Sequence, residues 1–179
     1  MKLETDSLVL RDYTMNDLEN YYRLKSCREV WNYSTFVPVS DTETAKNELK
    51  NLITKQTSDG TGFCALFNKR SGEYIGEAGI LSHNANADRC VIGYNLLPGF
   101  WGNGYATEIS KRLIMFAFEN LNVERVEALA MKDNVASCRV LEKSGLILEG
   151  ILKHFTKVRG EYYDVCYYGF TRGDYYKKI

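Results

Sequence analysis

Leu8 and Leu10 alternate with Val9 and Arg11, so residues 3–11 predict a first strand. Thr14 with Asp17 has the form of a capping box and opens a helix that carries Leu18, Tyr21, Tyr22 and Leu24. A second box, Ser40 with Glu43, opens a helix whose Ala45, Leu49, Leu52 and Ile53 share one face. Residues 30–39 between them are aromatic and irregular, which suits the cover of a cleft or of a core equally. Past Asp59-Gly60 come three strand-like runs, 63–67, 74–81 and 90–97, with turns at Ser71-Gly72 and across 84–88. Pro98-Gly99-Phe100-Trp101-Gly102-Asn103-Gly104 then forms a glycine-rich loop. The helix behind it buries one stripe through Ile109, Leu113, Phe116, Ala117 and Leu121. A strand over 123–131 follows, then a short helix from the cap Asp133-Asn134 to Lys143, ended by Ser144-Gly145. Strands at 146–152 and 162–170 complete a mixed α/β chain of about seven strands.

With 179 residues and no repeats or linkers, the chain reads as one domain over 1–179, large enough for a full core. Lys plus Arg (23) equals Asp plus Glu (23), which argues against nucleic acid as a partner, since phosphates call for a basic excess. The first residues contain no apolar run that would serve as a signal peptide. The longest apolar block, 113–118, is too short to span a bilayer, so no membrane partner is expected. Five scattered cysteines without a CxxC pair read as reduced thiols of a cytoplasmic protein. His83 and His154 are far apart, and no metal is expected.

The candidate chemistry centres on the glycine loop. A strand, a tight turn and a helix start together make an anion site, because the first helical N–H groups lack partners and the dipole is positive there. Gly102 and Gly104 allow close backbone approach, and Ala106 and Thr107 keep the first turn small. A P-loop would need Lys-Ser/Thr where Tyr105-Ala106 stands. A dinucleotide fold would need a third glycine at Thr107 and more chain behind it. A short GxG is also compatible with a plain loop.

Wider matches favour a third reading. Trp101-Gly102-Asn103-Gly104-Tyr105-Ala106-Thr107-Glu108 resembles the pyrophosphate loop of the GNAT acetyltransferase superfamily, whose Q/R-x-x-G-x-G/A pattern has its small positions at Gly104 and Ala106. Trp101 replaces the usual Gln or Arg, as in the RimJ/RimL-like branch, which acetylates N-termini of ribosomal proteins and includes small-molecule relatives. Leu8-Val9-Leu10-Arg11, Ile92-Gly93-Tyr94, the stretch from Asn134 to Gly145, Glu149-Gly150, Tyr163-Asp164-Val165 and Tyr168-Gly169 resemble that branch in order. The resemblance implies an α/β (α+β) GNAT-like acyl-CoA N-acyltransferase fold, a mixed sheet of about seven strands flanked by helices. It implies acetyl-CoA as co-substrate, no metal, and direct attack of an amine on the thioester. Backbone N–H groups of Gly102, Asn103, Gly104, Tyr105, Ala106 and Thr107 would hold the pyrophosphate. The splayed strand at Leu96 and Leu97 would pair with pantetheine, Asn134 would contact the same arm, and Ser137 would lie near the sulfur. Asn134 equally fits a helix cap, and Ser137 a plain helix-face serine.

Many superfamily members carry a tyrosine as general acid where Leu141 stands here, which leaves Ser137 as the donor. The branch often has a Glu before Ile-Gly-Tyr; here the residue is Val91, so Glu77 becomes the candidate base, on either a cleft wall or an exposed sheet face. An α-amine, with pKa about 8 against about 10.4 for lysine, needs only a modest base. Tyr94 fits a cleft wall or the core, and Cys90 and Cys138 read as packing thiols. Three functions stay open. They are acetyl transfer to a protein or peptide α-amine such as a ribosomal-protein N-terminus, transfer to a polyamine, amino acid or antibiotic, and acyl-CoA sensing without turnover. The chain is expected to be a monomer or a homodimer.

Overall fold

The computed structural model describes residues 1–59 and 61–177; Gly60, half of the expected Asp59-Gly60 turn, lies outside them. The chain runs β1 (Lys2–Glu4), β2 (Leu8–Arg11), α1 (Leu18–Ser26), α2 (Thr42–Asp59), β3 (Gly62–Asn68), β4 (Tyr74–Asn84), β5 (Arg89–Leu96), α3 (Tyr105–Glu119), β6 (Arg125–Met131), α4 (Val135–Lys143), β7 (Ile147–Val158), β8 (Glu161–Thr171) and α5 (Arg172–Lys177). The strands form one eight-stranded sheet in the order β1-β2-β3-β4-β5-β6-β8-β7, and β5–β6 is its parallel pair.

The sheet has eight strands rather than about seven because the expected first strand is a hairpin. At Thr5-Asp6-Ser7 the Thr5 amide reaches the Leu8 carbonyl at 3.0 Å and the Leu8 amide returns to the Thr5 hydroxyl at 2.9 Å. That side-chain turn folds Leu3 opposite Leu10. The Thr14–Asp17 capping box forms as expected. The second helix starts differently. Its first turn is capped by Asp41, whose Oδ1 accepts from the Thr44 amide at 2.8 Å, and Ser40 only supports Asp41. Among the described residues no helix is long and apolar enough to cross a membrane.

Two cores flank the sheet. Leu8, Leu10, Leu66, Ile75, Ile80 and Ile92 meet Ile109, Leu113 and Ala117 of α3 on one face. On the other, Tyr13, Tyr21, Leu24, Trp31, Ala45 and Leu49 close over Ala65 and Tyr74. Trp31 is buried, with its indole N–H on the Leu24 carbonyl, so the aromatic 30–39 segment covers core. Strand β4 changes phase at an irregularity opposite Leu66/Phe67, which puts Tyr74 and Glu77 beneath α1 and α2 but Ile75 and Ala78 beneath α3. Gly76 makes this possible: at φ 150° a Cβ there would lie 2.2 Å from the Asn95 carbonyl oxygen.

The feature that positions the site is a parting of strands. Strands β5 and β6 pair at Arg89–Arg125, Cys90–Val126 and Val91–Glu127 and then separate, although β5 continues to Leu96 and β6 to Met131.

Candidate active site

Strand β5 ends in a 3-10 turn at Pro98–Phe100, and the chain reaches α3 through Gly102 (φ 78°) and Gly104 (φ 81°), both left-handed. A Cβ at either glycine would meet nothing within 4 Å, so the requirement there is conformational and the space in front of the loop is open. The Glu108 amide bonds the Gly104 carbonyl, whereas the amides of Gly102, Asn103, Gly104, Tyr105, Ala106 and Thr107 have no acceptor among the described residues. Six unpartnered donors at a helix N-terminus fit a diphosphate. Residues 98–107 contain no cation. Lys69 and Arg70 line an adjoining cavity of about 320 Å³ with Asp6, Ser7, Asn68 and Tyr105.

The gap between β5 and β6 begins beside this loop. The Leu97 amide bonds the Ile75 carbonyl at 3.0 Å, and in an antiparallel ladder that phase turns Asn95 and Gly93 toward β4 and Tyr94 and Leu96 toward the gap. Leu97, expected to pair its backbone with the cofactor arm, is therefore corrected: its amide is taken by β4 and its carbonyl by the Phe100 amide. Leu96 keeps an amide facing the gap, but its carbonyl accepts the Trp101 indole N–H at 2.7 Å. Trp101, in the place of the usual Gln or Arg, thus ties the loop to the strand. Trp101→Phe is expected to lower stability by about 1 kcal/mol, measured by urea unfolding, because one part-buried hydrogen bond is lost.

Across the gap stands the start of α4. Asn134 is its cap, with Oδ1 accepting from the Ser137 amide at 3.1 Å, and its side-chain amide nitrogen is left for another contact. Ser137 is half-buried in the first turn, and Leu141 is buried in the core. Cys90 is buried and Cys138 half-buried, both as free thiols.

Glu77 departs furthest from expectation. It lies neither on a cleft wall nor on an exposed face but is 0% exposed. Its Oε1 takes Lys25 Nζ at 2.8 Å and Asn95 Nδ2 at 2.8 Å, and its Oε2 takes the Tyr13 hydroxyl at 3.3 Å. Lys25 Nζ in turn sits within 4.6–5.4 Å of the ring centroids of Trp31, Phe36, Tyr21 and Phe63. Burial, with help from the neighbouring Tyr74 and Glu77, pushes the Tyr13 phenol well above its ordinary range. A carboxylate so enclosed does not face a diffusing amine. The other buried glutamate among the described residues is Glu127, beside Val91 on the next strand. Burial disfavours its charge, but hydrogen bonds from Arg125, Tyr167 and Arg89 outweigh that and hold it below the usual carboxylate range. Cations therefore engage both buried glutamates.

The family model for the Acetyltransferase (GNAT) domain matches residues 7–147. The chain belongs to the GNAT acetyltransferases. It is 27% identical over 173 residues to the uncharacterized N-acetyltransferase p20 of Bacillus licheniformis, covering 97% of each chain. Among solved structures, the ribosomal L7/L12 α-N-protein acetyltransferase RimL in complex with coenzyme A superposes with a TM-score of 0.86 at 21% identity, over 96% of this chain and 98% of that one. Spermidine N-acetyltransferase of Vibrio cholerae superposes with a TM-score of 0.83 at 21% identity, over 96% and 99%.

Acetyl-CoA is the co-substrate of this GNAT acetyltransferase, and the unpartnered amides of the loop fit its diphosphate. The activated thioester it brings needs three things of the protein: a held phosphate end, a path for the arm, and a donor near the sulfur. Of the expected residues, Leu96 keeps an amide facing the gap, whereas the Leu97 amide and carbonyl are taken within the chain and Glu77 is buried beneath α1 and α2. Sequence reasoning missed Trp101 as a fastener, and it missed Lys25, Tyr13 and Asn95 as partners of Glu77.

Proposed function

We propose that this GNAT acetyltransferase moves acetyl to the α-amine of a peptide or protein, with a ribosomal-protein N-terminus as the model acceptor, in the cytoplasm. The observation that carries this reading is the Lys25–Glu77 pair. A polyamine is a polycation and calls for unpaired carboxylates at its binding end, whereas Glu77, fully buried beneath α1 and α2, is neutralised from within the chain. Two of the protein's cavities, of about 300 and 320 Å³, agree with this reading. One is lined by Lys55, Thr61, Leu81, Ser82 and His83, and in the other Asp6 faces Lys69 and Arg70, so neither is an acidic pocket. RimL, one of the structural neighbours, acts on an α-amine.

In this reading the amides of Gly102, Asn103, Gly104, Tyr105, Ala106 and Thr107 hold the phosphates and the Tyr94 and Leu96 backbone guides the arm. Asn134 braces the first turn of α4 and Ser137 presents its hydroxyl to the sulfur. The base demand is small. An α-amine with pKa about 8 is roughly one-tenth neutral at pH 7, while lysine at about 10.4 is neutral by less than one part in a thousand. Water in the open gap takes the proton.

Thiol release from acetyl-CoA against a panel of acceptors tests the proposal. Turnover is expected with N-terminal peptides of ribosomal proteins, and kcat/KM for free amino acids, aminoglycosides and spermidine is expected to be at least tenfold lower. A preference for spermidine would replace this reading with the polyamine one, and binding without turnover on any amine would favour an acyl-CoA sensor.

A further inference from the structure

Tyr94 lies on β5 beyond the last paired position, Val91, where β6 has already parted from it. Its ring packs against the α3 core. Its phenolic oxygen is shielded from water and has no hydrogen-bond partner. Buried hydroxyls are nearly always satisfied, and one left orphaned costs the fold something that a plain phenylalanine would not.

The polar side chain beside it is Ser137. Burial raises the Tyr94 phenol to about 12, and the Ser137 hydroxyl works in the opposite sense, so the two are neighbours even though bonding geometry is not met. The Ser137 amide is fixed by Asn134 Oδ1 at 3.1 Å, which pins the first turn of α4, whereas its hydroxyl has no partner among the described residues and is free to rotate. Helix α4 itself contains no tyrosine.

We propose that Tyr94 is a positioning residue for Ser137: its phenol donates to Ser137 Oγ and thereby turns the serine proton toward the sulfur that leaves the acetyl group. A hydroxyl that accepts one hydrogen bond donates a stronger second one. In the transfer, the acceptor nitrogen bonds to the acetyl carbon, the carbon–sulfur bond breaks, and the electron pair stays on sulfur, where the Ser137 O–H meets it. The nitrogen sheds its proton to water and the sulfur takes one back from water. Tyr94 ends the cycle with its own proton, as a phenol titrating near 12 must at neutral pH. The proposal rests on the β5–β6 gap being the path of the acyl donor.

The test compares Tyr94→Phe, Ser137→Ala and the double variant in the whole protein. In Tyr94→Phe, kcat is expected to fall about tenfold, with the Kd for CoA from calorimetry unchanged. Ser137→Ala is expected to fall at least as far, and the double variant no further than Ser137→Ala alone. The thiol pKa of bound CoA, followed by thiolate absorbance, is expected to rise in both single variants. Wild-type kcat in Tyr94→Phe, or multiplicative losses in the double variant, would each overturn the proposal. Failure of the underlying reading is distinguishable: Ser137→Ala would then leave both kcat and the thiol pKa of bound CoA at wild-type values.

Discussion

Glu77→Gln is expected to destabilise the protein by about 3–5 kcal/mol, a loss of fold before it is a loss of chemistry. The substitution leaves the Lys25 ammonium with a side-chain exposure of 6% and no counter-charge. The four surrounding rings soften that cost without removing it, since a cation over aromatic faces gains less than it does beside a carboxylate. The Asn95 and Tyr13 donors also lose their charged acceptor. Replacing both partners, as Lys25→Met with Glu77→Leu, removes two charges together and is expected to recover most of the deficit. Urea unfolding of the single and double variants measures both numbers. A stable Glu77→Gln protein with slow turnover, steeper at low pH, would instead return Glu77 to the role of base.

The sequence could not disclose this arrangement, and the reason is geometric. Lys25 and Glu77 are 52 residues apart, and nothing local to Tyr74-Ile75-Gly76-Glu77 announces the phase change that turns Glu77 beneath α1. Strict alternation from Tyr74 would have put Glu77 on the α3 side; the irregularity at Gly76 moves it. The same limit hid the division of the first strand, where one side-chain turn at Thr5 outweighs an unbroken apolar rhythm. It also hid the occupation of Leu97, whose partner Ile75 belongs to another strand. What was legible was local: the glycine loop, the Thr14–Asp17 box, and the Asn134 cap with its glycine stop, each written within a few consecutive residues. The sheet order was not legible, because spacing alone does not say that β8 inserts between β6 and β7.

Locality is also why the glycine loop supports the second large expectation. Gly104→Val is expected to weaken acetyl-CoA binding by about 100-fold or more, which is about 2.7 kcal/mol. Two losses combine. At φ 81° a β-branched residue is a genuine outlier and costs roughly 1–2 kcal/mol, so the turn rearranges and the amides of Tyr105, Ala106 and Thr107 lose their common aim. Each hydrogen bond to a charged phosphate oxygen forfeited in this way is worth about 1.5–3 kcal/mol. The unliganded protein loses less, because a Cβ at Gly104 meets nothing within 4 Å and the loop is exposed. Gly104→Ala, with the same backbone strain but no branch, should fall between the two, near tenfold. Calorimetric titration with CoA, beside thermal melts without it, separates affinity from stability. Unchanged affinity in Gly104→Val would place the diphosphate elsewhere and leave six unpartnered amides without a ligand to explain them.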